Sequence, residues 1–329
     1  MKKTDSIAKK IRKRGELALT RMALRWIPRW SRRTVVRFAW MAGGIASILP
    51  GRSSRVAWAN LDLVYGDQKT RAEKRRILRG SCRTFALVML DVFWYAEDTK
   101  RRIEETVTFD PALDEVFQER AQMCITAHLG NWELLGHAVS IRGYPLSSVA
   151  APLVNPAVDA YLARLRAVSG QIIIPRDGAL RGMLRTLKAG GKVALLLDQN
   201  TRPSQGGVFV DFFGLPVPIS DAGAALAIKT RADILFGFCI PDAAGNYTVH
   251  THPKLTPPTG EAGRDVVNEY TQGIARAIEA AIRQHPEAWL WMYKRWKHMP
   301  ADADSDRWPF YVKQRWPIPY NAPSTSADR

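Results

Sequence analysis

From Val107 to Tyr293 the chain alternates short apolar runs with amphipathic stretches, and this constrains its fold more than any other feature. Short strands separated by helices assemble side by side into a sheet with helices packed on its faces. The pattern predicts strands at Met123–Ala127, Leu146–Ala150, Gln171–Ile174, Lys192–Leu197, Val208–Phe213, Ile234–Ile240, Tyr247–Thr251 and Trp289–Tyr293. Helices are expected at 131–141, from Asn155 to Ser169, from Ala179 to Gly190, and over 221–230 and 264–284. Asn155-Pro156 is a capping residue followed by proline at the first helical position. The last helix carries Val267, Tyr270, Ile274, Ile278 and Ile282 on one stripe and stops before Pro286. The expected class is α/β, with a mixed central β-sheet flanked by helices and a helical region before it. The corresponding segments are 1–50, 51–105, 106–299 and an irregular tail at 300–329.

The N-terminal region is chemically distinct. Residues 1–33 hold twelve Lys and Arg against Asp5 and Glu16, a large share of a net charge of +17. Such a segment seeks polyanions, either nucleic acid or an anionic membrane surface. Ile7, Ile11, Leu19, Met22, Trp26, Ile27 and Trp30 recur among the cations at roughly helical spacing. A basic amphipathic helix with tryptophans at its apolar edge suits a lipid headgroup layer, whereas a nucleic-acid arm has no use for the tryptophans. Val35–Leu49 follows, apolar except for Arg37. Fifteen helical residues reach only ~22 Å, short of a ~30 Å hydrocarbon core, so a shallow or re-entrant membrane element or a core helix is expected. The long charged lead does not fit a signal peptide. Thr70 and Glu73 form a capping box opening a long helix, and residues 85–96 of that helix are apolar on nearly every face.

Candidate chemistry sits where strands end, because ligands of open α/β sheets gather outside the strands' carboxyl ends. His128 follows one predicted strand and Asp198 another. A helix starting near Asn131 puts Glu133 in its first turn, close to the His128 loop. The two are either an acid/base pair, with Glu133 fixing the imidazole tautomer, or neighbours by chance. Gly130 and Asn131 lie between them, with helix N-terminal amides to offer a developing oxyanion. No GxSxG elbow, HExxH, Walker or GxGxxG motif is present, and the three cysteines form no CxxC pair. No metal site or cofactor is expected. His250 and His252 share a strand face without an evident third ligand.

HLGNWE, RLRAVSG, IIIPRDG, LLLDQN, GVFVDFFG and WLWMYKRWK occur in that order, after NLDLVYGD at 60–67. Together these segments resemble the bacterial lipid A (lauroyl/myristoyl) acyltransferase family. That family belongs to the lysophospholipid acyltransferase group with its H-x4-D/E signature, and the similarity covers about residues 20–298. The resemblance implies a glycerol-phosphate-acyltransferase-like fold and acyl transfer from an acyl thioester, on acyl-carrier protein or CoA, to a hydroxyl of a lipid A precursor. In that scheme His128 is general base, assisted by Glu133. Arg164 or Arg166 clamps a phosphate or the thioester region, unless each lies on a solvated helix face. Arg176 is a further phosphate candidate. Asp198 and Gln199 shape the acceptor site or cap a strand end, and Arg295 belongs to the closing motif, where Trp296 is expected to pack. Two departures from the family pattern are Ala151-Pro152, where many relatives have Arg-Pro, and Tyr293, where many have histidine. The acceptor is otherwise a lysophospholipid or another hydroxylated lipid, and a non-catalytic membrane-surface protein is the reading from a different class. The expected partners are the acyl donor, an anionic lipid acceptor and a membrane surface, with no nucleic acid. The expected place is the cytoplasmic face of a bacterial inner membrane, peripheral or single-pass.

Overall fold

A computed structural model describes residues 7–113, 118–150, 155–258, 263–312 and 314–316. Ala151-Pro152 therefore lies outside the described residues. The N-terminal part is helical: α1 (Ile7–Trp26), α2 (Arg32–Ile48), α3 (Arg52–Tyr65), α4 (Arg71–Trp94) and α5 (Thr99–Thr106). Ser31 caps α2, and Thr70 with Glu73 closes the expected capping box on α4. α2 buries Val35, Val36, Ala39 and Gly43 and leaves Phe38, Met41, Ile45 and Ile48 exposed. Gly43 lies directly on the Arg83 backbone of α4, where any side chain would collide, so glycine lets the two helices pack closely. Among the described residues no single helix is long and apolar enough to cross a membrane. By length and composition only the bent pair 32–48 with 52–68 passes that test.

The remaining elements are β1 (Val107–Phe109), β2 (Gln122–Thr126), α6 (Trp132–Ile141), β3 (Leu146–Ala150), α7 (Pro156–Val168), β4 (Ile172–Pro175), α8 (Ala179–Lys188) and β5 (Lys192–Leu196). They continue with β6 (Gly207–Phe212), β7 (Leu215–Ser220), α9 (Ala222–Thr230), β8 (Asp233–Phe236), β9 (Phe238–Pro241), β10 (Tyr247–His250), α10 (Arg264–Gln284), β11 (His298–Pro300) and β12 (Gln314–Trp316). The expected α/β architecture is present. Five parallel strands in the order β4-β3-β5-β2-β8 form the central sheet, with helices packed against it. The antiparallel component lies in a separate sheet β1-β10-β9 and in the hairpin β6-β7.

Three local expectations change. Ile234–Ile240 is two strands, because the chain leaves the central sheet at Gly237, and β8 and β9 pair in different sheets. Trp289–Tyr293 is not a strand but a run of turns. It bonds to the His128 loop through the Leu290 N–H, which donates to His128 O (3.1 Å), while Ala288 O just before it accepts from Gly130 N–H (3.0 Å). Burial of Trp289, Trp291 and Trp296 in the core fixes the segment instead. The tail is not irregular throughout. Trp308 and Tyr311 are buried and β12 pairs with β11, while residues beyond 316 lie outside the described set.

Candidate active site

Adjacent parallel strands set the site's geometry. In the β2–β5 ladder Gln122 pairs with Lys192 and Thr126 with Leu196, and the pairing continues as Leu197 N–H donates to Thr126 O (3.1 Å). Two residues beyond each strand end, His128 and Asp198 therefore stand side by side. The His128 ring Nδ1 lies 2.8 Å from Asp198 Oδ1, while the His128 backbone N–H donates to Asp198 Oδ2 (2.9 Å). The Trp289 indole Nε1–H donates to the same Oδ2 at 2.9 Å. Asp198 is buried to 3% exposure, so a carboxylate there must be paid for by donors, and three converge on it. Burial works to raise its pKa. The His128 charge and the hydrogen bonds from His128 and Trp289 outweigh that and hold it below the ordinary carboxylate range. Burial likewise pulls His128 down, but Asp198 outweighs it and holds the imidazole above the ordinary histidine value. With Nδ1–H committed to Asp198, Nε2 is left as the acceptor. The Gln199 amide nitrogen stands 3.2 Å from it.

Glu133 is not part of this pair. It receives both arms of Arg166, at 2.7 and 3.0 Å, and lies 3.9 Å from His137 Nε2. The reason is helical geometry. Trp132, the first residue of α6, lays its ring against His128 with centroids 4.7 Å apart. The next residue is rotated about 100° around the axis, and this carries Glu133 away from the imidazole towards α7. The carboxylate that fixes the His128 tautomer is Asp198, which the family resemblance implied only as an acceptor-site residue, with a strand-end cap as the alternative. Its signal was present in the sequence as a second polar residue directly after an apolar strand.

The HLGN loop is a structural clamp rather than a flexible amide donor. Gly130 has φ 68° and sits on the Cys239 carbonyl, where a Cβ would overlap it. Its N–H donates to Ala288 O, and the Asn131 N–H donates to Cys239 O at 2.7 Å. The two amides offered for an oxyanion are thus committed within the fold. Asn131 also caps α6 by accepting from Leu134 N–H (3.0 Å), and its side-chain amide donates to Asp91 (3.3 Å) and Tyr247 (3.2 Å). Asp91 is further bound by the Tyr247 hydroxyl (2.5 Å) and ion-paired with Arg32. A buried polar network therefore ties α2 and α4 to the underside of the site.

The other expected site residues separate. Arg164 is exposed on α7 and Arg166 is committed to Glu133. Arg295 is fully buried, donating to Asn200 Oδ1 (2.9 Å) and Pro218 O (3.3 Å), and burial pushes its pKa down to about 10. It supports the loop after β5 from beneath and is not presented to a substrate. Trp296 packs in the core as expected. Arg176 lies in the wall of an open polar cleft with Asn200, Arg202, Tyr293, Lys297 and His298, residues mostly outside the sequence reading.

An apolar cavity runs between α6 and the sheet, with about 610 Å³ of empty space counted to its mouth. Trp132, Leu135 and Val139 line it from α6, and Leu146, Leu196 and Phe236 from the strands. Trp132 lines the cavity and also packs on the His128 ring, so one side chain separates the cavity from the imidazole.

The model of the family described as bacterial lipid A biosynthesis acyltransferase matches residues 17–298. The lipid A biosynthesis lauroyltransferase of Escherichia coli K12 is 22% identical over 80% of this chain and 85% of its own length. The palmitoleoyltransferase of the same organism is 25% identical over the same shares. A phosphatidylinositol mannoside acyltransferase of Mycobacterium tuberculosis is 26% identical over 51% of this chain and 52% of its own. The matched range takes in α2 and α4, the His128 loop, Asp198 and the tryptophan-rich closing segment. The chain is an acyltransferase that acts on lipid, and it belongs to the bacterial lipid A biosynthesis acyltransferase family.

Proposed function

We propose that the enzyme moves a fatty acyl group from an acyl thioester, on acyl-carrier protein or CoA, to a hydroxyl of a lipid A precursor, with His128 as general base. The observation that carries this reading is the His128–Asp198 hydrogen bond at the ends of adjacent strands, beside an apolar cavity. In the reaction His128 Nε2 takes the proton of the acceptor hydroxyl as its oxygen attacks the thioester carbonyl carbon. The carbon–sulfur bond then breaks, and the imidazolium returns the proton to the departing thiolate. Asp198 holds Nδ1–H throughout and balances the transient cation. The acyl chain occupies the cavity beneath α6, which keeps it out of water while its carbonyl stays next to His128. Gln199 gives up its place at Nε2 to the incoming hydroxyl. The test is mass spectrometry of total lipids from cells with and without the gene. Loss of one acyl mass from lipid A is the expected result. The same loss on a phospholipid or mannolipid instead would replace the acceptor, and no loss on any lipid would refute the reading.

The same reading puts the enzyme at the cytoplasmic face of an inner membrane. Leu19, Met22 and Trp26 are each more than half exposed on α1, and Phe38, Met41, Ile45 and Ile48 continue the apolar surface on α2. Arg21, Arg25, Arg29, Arg33 and Arg37 are exposed among them. Apolar side chains seated among cations suit an anionic lipid surface. Replacing Leu19, Met22 and Trp26 together by glutamine is expected to weaken binding to phosphatidylglycerol-containing vesicles by roughly ten- to a hundredfold. This is a cleaner test than truncating at residue 33, which would also remove buried Ile27 and the Arg32 partner of Asp91. Unchanged sedimentation with vesicles would contradict a membrane role for this face.

A further inference from the structure

The polar cleft next to the catalytic histidine is unexplained by the chemistry of acyl transfer. Its empty space is about 970 Å³ counted to its open mouth. It begins one residue beyond Gln199: Gln199 turns to His128, while Asn200 faces Tyr293 and Arg295 and lines the cleft. Three cations from three parts of the chain enter it: Arg176 after β4, Arg202 after β5, and Lys297 before β11. Among the described residues of the lining Asp177 is the one carboxylate. Among the described residues none of the three cations has an ion-pair partner. Their supports are firm. Gln205 and Gly207 N–H both donate to Arg202 O at 2.9 Å, closing a turn around it. The Asn200 N–H and side-chain amide donate to Tyr293 Oη at 3.1 and 3.2 Å, and that amide also reaches Lys294 O at 3.0 Å.

His298 also lines the cleft, as a buried ring that is 6% exposed and packed on Trp316. Burial, and then the charges of Lys297, Arg202 and Arg295, push the imidazole down to about 4. A neutral ring adds no further charge to the cations of the cleft. Three cations on separate arms match a tetrahedral group with three acceptor oxygens and nearly two negative charges, where a carboxylate needs only one planar fork.

We propose that the cleft of Arg176, Arg202, Lys297 and His298 binds a phosphate group of a substrate and so fixes that substrate's register at His128. Assigning the group to a substrate rests on the acyl-transfer reading; the binding of phosphate does not. The phosphate belongs either to the headgroup of the acceptor glycolipid or to the pantetheine arm of the donor. The test uses the full chain in detergent and the double variant Arg202→Gln with Lys297→Gln.

In the binding arm, inorganic phosphate is titrated at constant ionic strength while thermal unfolding is followed. The wild type is expected to gain Tm saturably, with phosphate affinity in the double variant lower by about 100-fold, two charge-assisted hydrogen bonds being lost. Equal Tm gains in both proteins would overturn the proposal, whether or not either protein transfers acyl groups. The kinetic arms compare kcat/KM for an acceptor with and without its phosphate, and for acyl-phosphopantetheine against acyl-pantetheine. Collapse of the wild-type preference in the acceptor arm supports the proposal and assigns the phosphate to the acceptor. Collapse in the donor arm supports it and assigns the phosphate to the donor. Identical preferences in wild type and variant in both arms would overturn it. A wild type that transfers no acyl group in any arm would instead overturn the acyl-transfer reading, and the phosphate titration would still decide the cleft.

Discussion

Asp198→Asn is expected to lower kcat by about 10²- to 10⁴-fold, whereas Glu133→Gln should cost far less in rate. A count of donors sets the two apart. Asp198 accepts three N–H groups: the His128 backbone and the Trp289 indole at one oxygen, and the His128 ring at the other. Asparagine has a single acceptor oxygen. Turned towards the two fixed donors, it presents its NH₂ to Nδ1, and the imidazole must then carry its proton on Nε2. That is the wrong tautomer for a base, so the loss appears in kcat rather than in KM.

The pH profile separates this from a simple loss of packing. Asp198 holds His128 above the ordinary histidine value, so wild-type activity is full above that raised pKa and falls as pH drops through it. Without the carboxylate, burial acts alone and pulls the imidazole down, so the residual activity of Asp198→Asn should persist to lower pH. Glu133→Gln leaves the pair untouched. Its cost should be in stability, because Arg166 loses a bidentate partner and His137, already pushed down to about 4 chiefly by burial, loses its nearby anion. A kinetic loss for Glu133→Gln equal to that of Asp198→Asn, with stability unchanged, would return the pair to the original His128–Glu133 spacing.

Much of the site was legible because local patterns report local structure. The apolar run before His128, the capping residue Asn131 and the polar residues after β5 all mark where strands stop and helices start, and these boundaries hold to within a residue or two. Strand order was not legible. Nothing in the spacing of β2 and β5, 70 residues apart in register, says that they are neighbours, and that adjacency alone brings His128 to Asp198. The H-x4-E spacing misled for a related reason. Position along a helix is readable from sequence, but the direction of its first turn depends on which side chain takes the inward face, and Trp132 takes it. Gly237 had the same hidden role: a glycine inside an apolar run marks where one apparent strand divides between two sheets. β7 escaped notice because Pro216 and Pro218 discourage a strand assignment, although a hairpin paired on one edge tolerates them.

In the proposed reaction His128 is the base. Its Nε2 is the acceptor nitrogen once Nδ1–H is held by Asp198, and Trp132 and Gln199 bound the space where a hydroxyl must arrive. Removing the ring takes away the proton acceptor and leaves the carboxylate, the apolar cavity and the N-terminal helices in place. The fold should survive, because the His128 backbone N–H and the Trp289 indole still donate to Asp198 and the His128 carbonyl still accepts from Leu290 N–H. The decisive measurement is the initial rate of acyl transfer by purified wild type and His128→Ala, with an acyl thioester and a hydroxylated lipid A precursor, read as one added acyl mass on the acceptor. The wild type should add that mass, and His128→Ala should fall by about 10³-fold or more while keeping its circular dichroism and vesicle binding. A folded His128→Ala enzyme that acylates the acceptor at a rate near wild type would contradict the account.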